Sequence, residues 1–292
     1  MSNSLLSIVI PCFNRHDLIT QCLDSVVSDA RSMVQVVLVD DGSDPPLADV
    51  VSSYLRETDI LIVQHNRGRG AALRSGLLAA TGKFSMIMDS DDDFVEDSLN
   101  IICQDLERLD SELVGAVYGV VDHRTGSLSC ALPEGQRCTL LSLRADHHVT
   151  GDLKEVILTP VVKRSLYPDP GHERRVPTSY IWAGVSRDGE VLVRDVGVIN
   201  HRYLPDGMTD SIRALKASSP QFLVSTHVRI AAAPSNCYRS AIFRMRHCIQ
   251  AYSVKGAVPT MAERADLVMS LGRTRVWVFH ALGRIMAVGR RF

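Results

Sequence analysis

The sequence predicts an α/β fold: a mainly parallel sheet with helices on both faces, followed by a helical C-terminal extension. Three observations predict it. Strand-like and helix-like periodicities alternate four times within about the first 110 residues. Val34 to Val39 is rich in β-branched residues, the pattern of a strand buried on both faces. Turn-forming and charged residues collect after the strands, at the edge where such sheets bind ligands.

The elements follow in order. Leu5 to Ile10 is a short β-rich run broken by Pro11. Leu18, Ile19, Cys22, Leu23, Val26 and Val27 recur at helical spacing. The Val34–Val39 strand leads into Asp40-Asp-Gly-Ser-Asp-Pro-Pro46, which is turn chemistry. Leu47, Val50, Val51, Tyr54 and Leu55 predict a second helix, and Ile60 to Val63 a third strand. Asn66-Arg-Gly-Arg-Gly70 turns into a small-residue helix through Leu73, Leu77 and Ala80, which Thr81-Gly-Lys83 ends. Phe84 to Met88 is the fourth strand, and Val95, Leu99, Ile102, Cys103 and Leu106 the next helix. Leu113 to Val121 continues the pattern, and Asp122 to Ser127 reads as a hairpin turn. Residues 130–180 have broken periods, Val191 to Val198 returns to a strand pattern, and the chain reads as helical from about Ser211, with a break near Pro234. The expected domains are 1–210, with a ligand-binding half 1–125 and a second half 126–210, and a helical extension 211–292.

The 292 residues are 46% hydrophobic and 22% charged, so a packed core is expected. A net charge of −1 gives no general case for nucleic-acid binding. It hides an asymmetry: residues 1–112 carry 19 acids and 8 bases, and the remainder 14 acids and 24 bases. The basic part could face an anionic acceptor or a membrane surface. Seven cysteines, an odd count without a CxxC pair, argue against a zinc site or disulfide framework and fit a reducing cytoplasm. His147-His148 with Asp152 is a poor zinc cluster, because neighbours on an extended segment point apart. The start Met1-Ser-Asn-Ser-Leu-Leu6 lacks the basic region of a signal peptide, and no run of about 18 apolar residues predicts a spanning helix.

The stretch Met86-Ile-Met-Asp-Ser-Asp-Asp-Asp-Phe94 carries the most chemistry. Asp89, Asp91, Asp92 and Asp93 repel one another and need a counter-charge. A divalent cation held by oxygen ligands, Mg²⁺ or Mn²⁺, is the natural candidate. The alternative is a solvated acidic turn that caps the following helix.

With these residues in view, the chain resembles family-2 glycosyltransferases of the GT-A fold, best over residues 7–125. Ser7-Ile-Val-Ile-Pro-Cys-Phe-Asn14, Val37-Leu-Val-Asp-Asp-Gly-Ser43, Asn66 to Gly76 and Asp89-Ser-Asp-Asp92 match that family's motifs in order. Gly151-Asp-Leu-Lys-Glu155, Gly171 to Tyr180 and Arg202 to Thr209 look like a subgroup of bacterial polysaccharide enzymes.

The resemblance implies a metal-dependent, inverting transfer of a sugar from a nucleotide sugar, a UDP-sugar first, to a hydroxyl of a glycan, glycolipid or small molecule. It implies hexosyl or N-acetylhexosaminyl transfer. Asp41 would contact the uracil, and Pro11, Phe13 and Asn14 would shape the base pocket. Asn66, Gly68, Arg69 and Arg74 would lie along the diphosphate, where a helix N-terminus favours phosphate. The family usually has Asn at the position of Arg74, which leaves that side chain as a phosphate contact or an exposed cation. Asp89 and Ser90 would reach the donor, with Asp91 and Asp89 as metal ligands. The family's base comes from the second half of the domain, commonly from a Glu-Asp pair that this chain lacks there; its nearest match is Glu173, with Asp152 and Glu155 in reserve. His201 and Arg202 are candidates for phosphate or acceptor contacts.

Two rival readings exist. A sugar-nucleotide pyrophosphorylase needs a Gly-rich, basic loop after the first strand, where this chain has Pro11-Cys-Phe-Asn14. A non-catalytic nucleotide-sugar-binding scaffold is kept open by the missing Glu-Asp pair. The tail Leu271 to Phe292 has five arginines, no acid and several aromatic and aliphatic residues. That pattern predicts either peripheral contact with the inner face of the cytoplasmic membrane or a docked or dimerising helix.

Overall fold

The computed structural model describes residues 4–26, 29–202 and 219–289. The chain forms two compact units. The first is Met1–Cys138, Val149–Arg164 and Gly189–Pro205; the second is Thr139–His148, Ser165–Asp188 and Asp206–Phe292. This partition differs from a linear division at residue 210, because residues 139–148 and 165–188 go with the C-terminal helices.

The first unit is built on one sheet. Strands β1 (Leu6–Cys12), β2 (Val34–Asp40), β3 (Ile60–Val63) and β4 (Phe84–Ile87) lie in the order β3-β2-β1-β4, all parallel. The sheet continues through β9 (Leu153–Leu158), antiparallel to β4, then β6 (Gly115–Asp122) and β10 (Val191–His201), which are parallel to each other. The two-residue β5 (Asp93–Phe94) pairs with the end of β10. Short strands β7 (Ser127–Leu128) and β8 (Arg137–Cys138) pair with β6 and β10, so Asp122–Ser127 is the hairpin turn expected there.

Strand periodicity explains the layers. Every residue of β1 and β2 is buried. Ile8, Ile10 and Leu38 join a cluster with Ile19 and Cys22 of α1 (His16–Ser25) and Leu99 and Ile102 of α4 (Ser98–Glu107). Val9 and Val39 point to the other face, against α3 (Arg69–Ala79). There a Cβ on Gly76 would lie 2.5 Å from Val9 Cγ1 and 3.0 Å from Val39 Cγ2, so the small-residue helix is what lets α3 reach the sheet.

Three local differences from the sequence reading have physical reasons. β1 runs through Pro11 to Cys12. Its register with β4 ends at Val9, so at Pro11 the strand is laddered to β2 alone and the missing N–H costs little. The second helix shortens to one turn, α2 (Ala48–Val51). The sheet is mainly parallel as expected, but β9, antiparallel to both β4 and β6, lay hidden among the broken periods of 130–180.

The second unit is helical: α5 (Leu140–Ala145), α7 (Ser179–Asp188), α8 (Pro220–Ala231), α9 (Ala241–Ser253), α10 (Met261–Leu271) and α11 (Arg273–Gly289); α6 (Thr159–Ser165) follows β9. Val224, Val228, Cys248, Ala251, Tyr252, Leu267 and Leu271 form its larger core, and Pro234 falls between α8 and α9. Among the described residues no helix is long and apolar enough to cross a membrane.

A Cβ at Gly115 would meet the Val156 carbonyl oxygen at 2.1 Å, across the β6–β9 ladder. Gly115→Ala should therefore destabilise the fold by about 1–3 kcal/mol, read as a lowered urea midpoint at unchanged m-value.

Candidate functional site

The ends of β1 and β2 are held by side chains that replace missing backbone ladders. Asn14 adopts a left-handed φ of 51°. Its amide donates to Ser43 Oγ at 3.0 Å, and its Oδ1 accepts from the Asp44 amide at 2.9 Å. Asp40 accepts from the amides of Ser43 and Leu47 at 2.9 and 3.0 Å and so shapes its own turn.

Asp41 is 3% exposed and reaches across to the next loop. Its Oδ1 accepts from Gln64 Nε2 at 2.7 Å and the Arg67 amide at 3.0 Å; its Oδ2 accepts from the Gly68 amide at 2.7 Å. Ser75 Oγ fixes Gln64 by donating to Oε1 at 2.8 Å. Gly42, at φ +81°, allows this approach: a Cβ there would lie 2.7 Å from the Asn66 nitrogen. Asp41 thus pins the Asn66–Gly70 turn that opens α3. Pro11 is buried, Phe13 is exposed, and Asn66 and Arg74 are partly buried.

Residues 68 and 69 bridge two acidic turns. The Gly68 amide holds Asp41, while Arg69 Nε and Nη2 donate to Asp89 Oδ1 at 3.0 and 2.6 Å. Burial alone would raise the Asp89 pKa, but Arg69, Lys154 and His201 outweigh it and hold the group at about 2. Ser90 is buried.

Beyond Asp89 the carboxylates divide. Asp92 has a fully buried side chain; its Oδ2 accepts from Lys154 Nζ at 2.9 Å and its Oδ1 bonds His201 Nδ1 at 2.7 Å. Asp93 accepts from Arg202 Nε and Nη2 at 3.1 and 2.8 Å and from Asn200 Nδ2 at 2.9 Å. Arg202 also donates to Gln21 Oε1 at 2.6 Å. Neither aspartate caps α4, as the acidic-turn alternative would require. The N-cap of that helix is Asp97, whose Oδ1 accepts from Asn100 Nδ2 at 2.6 Å. His201 and Arg202, candidates for ligand contact, have their ring and guanidinium directed at the acidic turn. Burial opposes the charge on Lys154, but Asp92 and Asp89 prevail and raise its pKa. The hydrogen bond to Asp92 is the main cause of the raised His201 pKa, against burial.

Asp91 differs from its neighbours. Among the described residues no side chain donates to it. Burial, then repulsion from Asp89 and Asp92, raises its pKa. An oxygen-only pair, Asp91 and Asp89, suits a hard cation such as Mg²⁺ or Mn²⁺, which takes one or two carboxylates and completes its shell with phosphate and water. Among the described residues no group of three His, Cys, Asp or Glu side chains is arranged to hold a metal without such help.

Glu173 lies in the second unit. Its Oε1 and Oε2 accept from the amides of Gln221 and Phe222 at 2.8 and 2.9 Å, at the first turn of α8. This carboxylate satisfies N–H groups that a helix start leaves unpaired. Asp152 is exposed, belongs to the first unit, and lies near enough to His201 to raise its pKa. Asp195 is structural: its Oδ1 accepts from the Leu132 amide at 2.9 Å. Of the Arg202–Thr209 motif, only Arg202 lies within the described residues.

Sequence reasoning missed Lys154 and Gln64. Lys154 sits in Leu153-Lys-Glu-Val-Ile-Leu158, an apolar run in which a lysine signals a buried counter-ion. Gln64 offered no such signal, because an amide just after a strand is ordinary.

The family model described as Glycosyl transferase family 2 matches residues 7–133. Glycosyltransferase GlyG of Streptococcus pneumoniae is 24% identical over 128 residues, 43% of this chain and 42% of that protein. The match thus spans less than half the length of this curated relative. Staphylococcus aureus TarS 1-349, solved with UDP-GlcNAc, superposes with a TM-score of 0.62 at 18% identity, covering 97% of this chain and 88% of that one. The mannosyltransferase PcManGT of Pyrobaculum calidifontis, solved with GDP-Man and Mn²⁺, gives 0.55 at 17% identity over 99% and 87%.

Lys154→Met leaves Asp92 buried beside only a histidine. It should cost about 3–5 kcal/mol, visible as a lower melting temperature. The raised His201 pKa stabilises the fold fully below the ordinary value of 6.5, and this is lost as pH rises through the raised value. His201→Gln should flatten that part of the stability–pH curve.

Proposed function

We propose, from the premise that this chain belongs to glycosyltransferase family 2 with a GT-A fold, that it moves one sugar from a nucleotide sugar to an acceptor hydroxyl. The donor is a UDP-sugar and the transfer inverting and metal-dependent. The acceptor is a glycan, glycolipid or small molecule. The carrying observation is Asp91, a carboxylate with a raised pKa and no side-chain donor among the described residues, in a turn whose other three carboxylates are each bonded to a cation. Supporting it, TarS was solved with UDP-GlcNAc and PcManGT with GDP-Man and Mn²⁺.

In this reading Pro11, Phe13 and Asn14 shape the base pocket, and Asp41 accepts the imide N–H of uracil on a lone pair its loop bonds leave over. Asn66, Gly68, Arg69 and the start of α3 face the diphosphate. Arg69 holds Asp89 in the resting protein and can turn to phosphate when the donor enters. Arg74 and Ser90 belong to the same donor surface. Asp91 and Asp89 would hold the Mg²⁺ or Mn²⁺, which when bound offsets charge on the leaving nucleotide. The acceptor oxygen bonds the anomeric carbon as the bond from that carbon to phosphate breaks, and the acceptor proton passes to a carboxylate. All seven cysteines are free and six are buried, which supports work in a reducing cytoplasm.

Glu173 is the base that the motif favours. The two amides it already accepts favour a second reading, in which Glu173 is a helix cap and either Asp152 is the base or the chain binds nucleotide sugar without transfer.

Asp91→Ala should reduce Mn²⁺-supported transfer at least about 100-fold; undiminished turnover would remove the metal assignment. Among UDP-, GDP- and dTDP-sugars with Mn²⁺, the strongest stabiliser in a thermal-shift screen names the donor. Of Glu173→Gln and Asp152→Asn, the true base should lose about 10²–10⁴-fold in kcat with donor binding kept. UDP binding with no transfer to any acceptor would favour the scaffold reading.

A further inference from the structure

Helix α11 presents two unlike faces. Val276 is buried, Phe279 is partly buried, and both pack on the core that contains Cys248, Ala251 and Tyr252. Gly283 is on the same side: a Cβ there would lie 2.7 Å from both the Ile249 carbonyl oxygen and Tyr252 Cβ. This docks α11 on α9 along one stripe and turns the rest of the helix outward.

The outward side is apolar. Trp277 is 71% exposed and Ile285 67%, and Val278, Leu282 and Met286 are exposed with them. At about 100° per residue, Trp277, Ile285, Val278 and Leu282 fall within an arc of about 140°. Arg284 and Arg273 lie at one margin of that arc and Arg275 at the other, and all three are exposed. From Leu271 to Phe292 the sequence contains no acid, and it continues past the described helix with Arg290 and Arg291.

We propose that this face of α11 seats on an anionic phospholipid surface. An apolar stripe bordered by arginines on both sides lets the stripe enter the acyl boundary while the guanidinium groups reach lipid phosphates. Trp277, near one margin, suits the headgroup level. Charge decides between occupants. In a two-fold pairing of this face with a second copy, arginines would oppose arginines with no acid on the helix to receive them. An anionic bilayer complements every charge the face carries.

The test is flotation of the full chain with vesicles of equimolar phosphatidylcholine and phosphatidylglycerol, against vesicles of phosphatidylcholine alone. Binding to the anionic vesicles should be at least about tenfold tighter and should weaken with added salt. Arg275→Gln/Arg284→Gln should lose about tenfold or more on anionic vesicles. Trp277→Ser/Ile285→Ser should abolish flotation. Unchanged melting temperatures of both double variants would show that the docked face is intact. No flotation with anionic vesicles, or equal binding to both compositions regardless of the arginines, overturns the proposal. So does a dimer in light scattering that Trp277→Ser/Ile285→Ser converts to a monomer, which assigns the face to a second copy.

Discussion

The buried carboxylate of Asp92 is the constraint around which the first unit is arranged. It stands just past the end of β4, and a lone ionised carboxylate there would be strongly disfavoured. Lys154 from β9 and His201 from the end of β10 supply the charge and the hydrogen bonds. Asp93 repeats the device with Arg202 and Asn200, and β5 adds two residues of ladder to β10. The parallel half of the sheet and the later strands are thus tied at one acidic turn. The ties run through side chains more than 60 positions away in sequence.

This arrangement also explains why Asp91 is available. Its neighbours are neutralised from the protein side: Asp89 by Arg69, Asp92 by Lys154 and His201, Asp93 by Arg202. Burial, and then the residual negative field of Asp89 and Asp92, raises the Asp91 pKa. A similar division marks the β2 turn. Asp40 closes its own turn, while Asp41 spends three hydrogen bonds on the loop before α3. Both turns are braced by their own acids.

The four alternating strands β1–β4 and the small-residue helix α3 were legible because each rests on local pattern. Val34–Asp40 has to be buried on both faces, and the small residues of Arg69–Ala79 leave room for close packing. β9 was not legible. Lys154 and Glu155 interrupt its apolar pattern, and Lys154 is inside only because Asp92 is there to meet it. Glu173 shows the same limit from the other direction. Its place in the sequence suggested chemistry, but α8, whose amides it accepts, begins 47 residues later, at Pro220.

By itself the sequence determined the alternating elements, the four motif clusters and the edge at which they gather, since periodicity and turn chemistry act over a few residues. The tertiary structure alone decided which carboxylates are counter-ions, which are loop clamps and which has no side-chain donor among the described residues. That distinction depends on charges brought together from distant strands, and burial converts such an encounter into a fixed pair. It also decided that the basic tail helix spends Val276, Phe279 and Gly283 on docking and leaves Trp277 and Ile285 outside. A helical wheel shows that two faces exist; only packing shows which one is occupied.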